Sequence, residues 1–269
     1  MSQDTFQLTG NAAAIYEEQK VPAIFKPLAL ATLNVLFVKD DDHVIDVACG
    51  TGIVGRQIVR KLGPTGRVVG VDLNEGMIEI ARKLTKEDAP KCEWHAADVT
   101  SMPFDANSFT LAVCQQGLQF FPDEERALRE IHRVLQTDGR IAVTVWAGAS
   151  DFFKSLADAL SRHVGEDVAQ KSLAPFQYNG MATLADRLSD IGYKQIDVTT
   201  LSVDRKLHDP TGEIPKEILG NSVGSAVSEK GQAVMQQIVT DVIQDLSASI
   251  DGGTLIAPQQ ANLITATVS

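Results

Sequence analysis

Cysteine is scarce in this chain, and so is positive charge. Cys49, Cys92 and Cys114 are the three thiols in 269 residues, far apart and without a CxxC pair. Such an odd, sparse set argues against a disulfide framework and points to a reducing, cytoplasmic compartment. Lys and Arg number 24 against 35 Asp and Glu, a net charge of −11. That balance argues against a nucleic-acid partner, because phosphate binding needs a concentrated basic surface. The N-terminal MSQDTFQLTGN lacks the basic-then-apolar order of a signal peptide. Long apolar runs are missing too. The longest, Val21 to Val38, contains Pro22, Lys26, Pro27 and Asn34, so it reads as a buried or lid helix and no membrane span is expected. No internal repeat or low-complexity linker interrupts the chain. What is present, 44% apolar and 22% charged residues, is the composition of a globular protein. The length allows one large core, or one core with an inserted lid.

From His43 to Trp146 strand and helix patterns alternate. Short runs rich in Val, Ile and Ala at 43–48, 67–72, 92–97, 109–115 and 140–146 read as strands. Between them, apolar residues at helical spacing predict amphipathic helices over 53–62, 75–86 and 124–135. That alternation implies an α/β fold with a mostly parallel sheet covered on both faces. The strand-to-helix turns then lie along one edge, where ligands bind. After Trp146 the rhythm changes. Helices are expected at 152–164, 183–191, 214–219 and 233–246, a loop at 173–180, and strands at 195–203 and 261–268. The whole chain, 1–269, therefore reads as one domain. Its expected parts are an N-terminal helical cap at 1–42 and a core at 43–150. Helical lid insertions are expected at 151–182 and 208–258, and the remaining sheet elements at 183–207 and 259–269.

The stretch VIDVACGTG, Val44 to Gly52, carries an acid inside an apolar strand, where an ionised carboxylate is costly unless something pairs with it. Gly50 to Gly55 satisfies GxGxxG, and Asp72 follows Gly52 by twenty residues, which taken literally is a dinucleotide fingerprint. Asp46 argues against that reading. Four positions before the loop, it would repel a pyrophosphate but suit a ligand with an amino group or a positive centre. Asp72 closes VVGVD and can accept both hydroxyls of a ribose. Asp98 closes WHAAD and can accept from an exocyclic amine. Strand-ending Asp residues also cap helices and turns; three beside one glycine loop favour a ligand.

With these residues in place the chain resembles the class I S-adenosylmethionine-dependent methyltransferases, in particular the small-molecule group that includes the ubiquinone and menaquinone methyltransferases. DVACGTG, VVGVDLNEGMIEIAR, AADVTSMPF, SFTLAVCQQGLQFFPD and ALREIHRVLQTDGRIAVTVW stand in that family's order and spacing. The resemblance implies a Rossmann-like seven-stranded sheet whose last strand runs antiparallel between its neighbours. It implies S-adenosylmethionine as cofactor, S-adenosylhomocysteine as product and methyl transfer to a small-molecule acceptor by in-line displacement. Ala48 departs from the glycine of many members. Carried over by position, Asp46 and the backbone of Ala48, Cys49, Gly50 and Gly52 would hold the methionine part. Asp72 would take the ribose, Leu73 and Met77 would pack on the adenosine, and Asp98 and Val99 would meet the adenine edge. The backbone carbonyl of Gln115 would reach the amino group, and Tyr16 would close over the cofactor.

Displacement at a sulfonium needs proximity, alignment and water exclusion from the protein, and no metal. None is expected, since His, Cys and carboxylates show no metal-ligand spacing. No catalytic base stands out. His95 reads as core, His132 as boundary and His43 as solvated, while His163 and His208 fall in or near the lid. Gln116, Gln119 and Phe120, in CQQGLQFFPD, are candidates for the acceptor; the glutamines could equally cap the next helix. The apolar face of the later lid helices would suit a hydrophobic acceptor. Two other readings stay open: the same fold and cofactor without methyl transfer, as in a cyclase-type enzyme or a cofactor-sensing binder, or a nicotinamide-dependent oxidoreductase.

Overall fold

Five strands rich in β-branched residues lie side by side: β1 (His43–Val47), β2 (Arg67–Asp72), β3 (Cys92–Ala96), β4 (Phe109–Gln115) and β5 (Leu135–Trp146). Their order is β3-β2-β1-β4-β5, and every adjoining pair among them is parallel. The computed structural model describes residues 12–88 and 91–269; residues 1–11 of the expected cap lie outside the described residues. From β1 the chain steps to β2 and β3 on one side and then returns to β4 and β5 on the other. That reversal leaves a crevice beyond the carboxyl ends of β1 and β4, the place where open α/β sheets take ligands.

The remaining strands are β6 (Tyr193–Leu207), β7 (Ile250–Asp251) and β8 (Thr254–Val268), with β8 between β5 and β6. Thr200 bonds to Asn262 and Gln195 to Thr267, so the two strands advance in opposite directions. The expected antiparallel last strand is there. It begins seven residues before Ala261 because β7 turns back on it through Gly252 and Gly253, both with positive φ (53° and 83°). Two consecutive glycines of that conformation make a tight hairpin, and the two-residue β7 brings the sheet to eight strands.

The helices are α1 (Ala12–Ile15), α2 (Lys26–Val35), α3 (Ile53–Ile58), α4 (Glu75–Leu84), α5 (Glu124–Val134), α6 (Asp151–His163), α7 (Glu166–Leu173), α8 (Met181–Ile191), α9 (Pro210–Leu219), α10 (Gly224–Glu229) and α11 (Gln232–Asp245). Tyr16–Phe25, between α1 and α2, is a π-helix with Pro22 inside it. The predicted loop at 173–180 keeps one 3-10 turn, Ala174–Phe176, and α7 and α10 arise where no helix was expected. Asn74 caps α4 and Asp123 caps α5, each accepting a backbone N–H of the first turn. Ile45, Leu111, Ile58, Ile78, Leu128 and Ile131 are fully buried between sheet and helices.

Two compact units emerge. The first holds the described residues up to Val145, Asn179–Leu201 and Ala261–Ser269; the second holds Trp146–Tyr178 and Ser202–Gln260. Inside the second unit Phe153 packs on Phe176 with ring centroids 4.3 Å apart. Arg205 donates to Glu217 at 3.0 Å while its guanidinium lies 5.1 Å from the Phe153 ring. No helix among the described residues is long and apolar enough to cross a membrane.

Candidate cofactor site

Asp46 is inside β1, one residue before its end, and is 1% exposed. Its Oδ2 accepts the Gly55 N–H at 2.9 Å, whereas its Oδ1 is buried with no hydrogen-bond partner. Burial, helped by the neighbouring charge of Asp72, pushes this carboxyl up to about 7, against the pull of the Gly55 amide and Arg56. A buried acceptor left open is expensive, and here it stands at the sheet's switch point beside the glycine loop.

The loop itself is shaped by left-handed residues: Ala48 (φ 53°), Gly50 (54°) and Gly52 (81°). Ala48 carries a Cβ in a region that costs an L-residue about 1–2 kcal/mol, which accounts for the glycine common at this position among the proteins it resembles. The glycines of GxGxxG do different jobs. A Cβ on Gly52 would sit 2.5 Å from the Trp94 ring and one on Gly55 2.9 Å from it, so both make room for that indole. A Cβ on Gly50 would meet nothing nearer than the Tyr16 ring, at 4.0 Å. Only that glycine faces open space. Gly117 brings the turn after β4 against the same loop, since its Cβ would fall 2.6 Å from that of Ala48.

Asp72 ends β2, and both its oxygens are used: Oδ2 accepts the Gly50 N–H at 2.8 Å and Oδ1 the Asn74 N–H at 2.9 Å. Burial raises its carboxyl too, opposed by those two amides. Tyr16 lies close enough that the charges of Asp72 and Glu17 add to burial in raising its phenol, and its ring stacks on Phe25 at 5.2 Å. Leu73 is 52% exposed at the same strand end, and Met77 is buried behind it in the first turn of α4. The structure thus gathers Tyr16, Asp46, Ala48 to Gly52 and Asp72 around one loop.

Asp98 stands further out. It lies two residues beyond β3, which stops at Ala96, and is exposed, its Oδ1 accepting both the N–H and the hydroxyl of Thr100 at 2.8 Å. Val99 next to it is half-buried. The segment nevertheless starts from the site, because Ala97 N–H donates to the Asp72 carbonyl at 3.0 Å. Gln115 ends β4 and anchors its amide Nε2 on the Phe25 carbonyl at 3.1 Å. Gln116 takes a left-handed φ of 58° and donates its N–H to Thr144. Gln119 and Phe120 are half-buried in the 3-10 turn Leu118–Phe120. Four of the five histidines have side-chain neighbours: His95 lies 3.6 Å from Glu93, His132 is edge-on to Tyr193, His163 contacts Asp241 and His208 contacts Thr254. Among the described residues no group of His, Cys, Asp and Glu is arranged to hold a metal ion.

Sequence reasoning missed Glu17, Thr51 and Arg56. Glu17 accepts from the Thr51 hydroxyl at 2.5 Å and from Arg56 at 2.7 and 2.9 Å. Those contacts span 34 and 39 positions and leave no periodic signal; the one hint was an acid next to Tyr16.

The methyltransferase domain family matches residues 44–139, the segment that builds this loop and its four neighbouring strands. A demethylmenaquinone methyltransferase of Lactobacillus johnsonii is 27% identical over 182 residues, which is 62% of this chain and 74% of that protein. A 2-phytyl-1,4-naphtoquinone methyltransferase of Nostoc punctiforme is 35% identical over 107 residues, 39% of this chain, and the chain spans 46% of its length. Among solved structures, phosphoethanolamine N-methyltransferase 2 of Haemonchus contortus, in complex with S-adenosylmethionine, superposes with a TM-score of 0.61 at 19% identity, covering 98% of this chain and 58% of that one. The cyclase SpnF shares the fold at a TM-score of 0.53 and 18% identity, over 90% of this chain and 81% of its own. Glycine loop, switch-point acid and matched segment agree: residues 44–139 are a methyltransferase domain of the S-adenosylmethionine-dependent kind, which transfers methyl groups to a small-molecule acceptor.

Proposed function

We propose that S-adenosylmethionine sits across the carboxyl ends of β1 and β2 and hands its methyl group, by in-line displacement, to an apolar acceptor of the quinone type. The observation that carries the placement is the buried, open Oδ1 of Asp46, an acceptor suited to an ammonium group, next to the free space at Gly50. Ala48 to Gly52 would line the methionine part, with Tyr16 over it. Asp72 would offer the ribose hydroxyls whatever acceptor capacity its two amide bonds leave, since each carboxylate oxygen has a second lone pair. Leu73 and Met77 would flank the adenosine, Asp98 and Val99 its adenine edge, and the Gln115 carbonyl the amino group. When bound, the cofactor supplies a methyl group activated by its sulfonium. The chain's own work is to bind, align and keep water out. No side chain is assigned as a base.

For the acceptor, support comes from the activities of the Lactobacillus and Nostoc relatives, both on naphthoquinone-type compounds. Gln116 and Gln119 would orient its polar edge and Phe120 would wall it. On this reading 43–150 is the cofactor-binding core, and 151–182 and 208–258 are helical insertions. The three buried free thiols support a reducing, cytoplasmic setting. The test is transfer of labelled methyl from S-adenosylmethionine to a panel holding reduced prenylated naphthoquinones, catechols and primary amines. Label on the naphthoquinols supports the proposal; label confined to the amines would overturn the acceptor class.

A further inference from the structure

Glu17 makes bonds that tie the π-helix to the glycine loop. Its carboxylate bridges two points of one unit. The Thr51 hydroxyl donates to Oε2 at 2.5 Å, and Arg56, in α3, donates to both oxygens at 2.7 and 2.9 Å. The side chains of Glu17 and Arg56 are only 18% and 17% exposed. An exposed ion pair is worth little, but a part-buried carboxylate taking three charge-assisted bonds is worth considerably more. Thr51 stands between Gly50 and Gly52, the two left-handed glycines, and α3 starts one residue after the latter. Whatever grips Thr51 and Arg56 therefore grips the loop at both its centre and its exit.

The other end of this grip is equally specific. Glu17 directly follows Tyr16, whose ring is the nearest group to the open face of Gly50. Both belong to the π-helix Tyr16–Phe25, an uncommon form that is frequent at functional sites. Pro22 inside it removes one backbone donor. Such a segment needs side-chain anchors to stay in place, and the Glu17 carboxylate is one that engages both of its oxygens.

We infer that Glu17 is the positioning residue of the cofactor site: by gripping Thr51 and Arg56 it sets the Tyr16 ring over Gly50, and cofactor affinity is controlled through that ring. The inference rests on the loop being the cofactor's seat. It is tested by titrating S-adenosylhomocysteine into wild type, E17Q, Y16A, the double variant E17Q/Y16A, and the charge swap E17R/R56E beside E17R. Each single change should weaken binding about tenfold, and the double variant should be no worse than Y16A within about twofold, because both act through one ring. The loss should appear in the KM for cofactor rather than in kcat, and the swap should recover at least about threefold over E17R alone. Should E17Q lower the melting temperature and leave affinity within about twofold of wild type, Glu17 is only a structural staple and the inference fails. Losses that multiply in the double variant overturn it as well, since Glu17 would then act without Tyr16. Wild-type protein that takes up no S-adenosylhomocysteine at all is a different result: it removes the cofactor placement itself.

Discussion

An aspartate in a core strand is costly to keep, and Asp46 shows how that cost becomes a binding device. Burial raises its carboxyl to about 7, from a usual value of 3.8. The ionised form is the disfavoured one, so its burden on the ligand-free fold is absent below the ordinary carboxylate value and complete only once pH passes the raised value. An ammonium-bearing ligand needs the ionised form. S-adenosylhomocysteine affinity should therefore climb between about pH 6 and pH 8, whereas Asp46→Asn should flatten that climb, weaken binding and stabilise the free protein at the alkaline end. Calorimetry across that range checks it; a flat profile in wild type would remove the carboxylate from the site. Asp72 differs because its oxygens already hold Gly50 and Asn74. Asp72→Ala should weaken the cofactor by about 2–4 kcal/mol. It should also lower the melting temperature without ligand, because two part-buried amides lose their acceptor. Unchanged thermal stability would mean that water replaces the carboxylate at no cost.

At the scale of elements, Trp94 decides how closely β2, β3 and α3 can approach. It pairs with Gly70 across the β2–β3 ladder, and its ring fills the space that side chains on Gly52, Gly55 and Gly70 would take. Its indole N–H is satisfied by Thr85 at 2.8 Å, past the end of α4. Gly70→Ala would bring a Cβ to 2.2 Å from that ring. It should cost about 1–3 kcal/mol by overpacking although Gly70 is outside GxGxxG, and chemical denaturation would measure this. A neutral Gly70→Ala would show that the indole moves freely and that the glycines are kept for another reason. The two loops at the switch point are coupled in the same manner. Gly117→Ala should be destabilising by a similar amount and be partly relieved by Ala48→Gly, which removes one of the clashing methyls and a left-handed alanine.

At the scale of the whole molecule, each unit has its own polar anchor. In the second unit Arg205 and Glu217 are 4% and 7% exposed, so taking away one partner leaves the other's buried charge without its counter-ion. Arg205→Ala should cost about 3–5 kcal/mol, and the double change Arg205→Met with Glu217→Leu should recover most of it. Thermal unfolding of the three proteins gives the comparison; a single-variant loss under about 1 kcal/mol would indicate that water reaches Glu217. In the first unit the anchors are the bonds that Glu17 and Asp72 make to the glycine loop, so amide exchange in β1 should be slow with or without ligand. Exchange in residues 12–25, held by side chains, should slow when S-adenosylhomocysteine binds.

Strand and helix alternation, the parallel sheet, the glycine loop and the acids of β1 and β2 were all legible in the sequence, because periodicity and turn chemistry are local properties. The antiparallel β8 was expected in its place, but its early start at Thr254 was not, although the glycine pair before it was visible. Helices α7 and α10 stayed hidden because they are short and weakly periodic. What the chain alone could not settle is which glycine makes room for a side chain and which leaves room for a ligand. GxGxxG reads the same in both cases, and only the arrival of Trp94 and Tyr16 from distant parts of the chain separates them. Glu17 is the same case. Its partners lie more than thirty positions away, and a contact of that span is fixed by the packing of the π-helix against the loop, not by any local pattern.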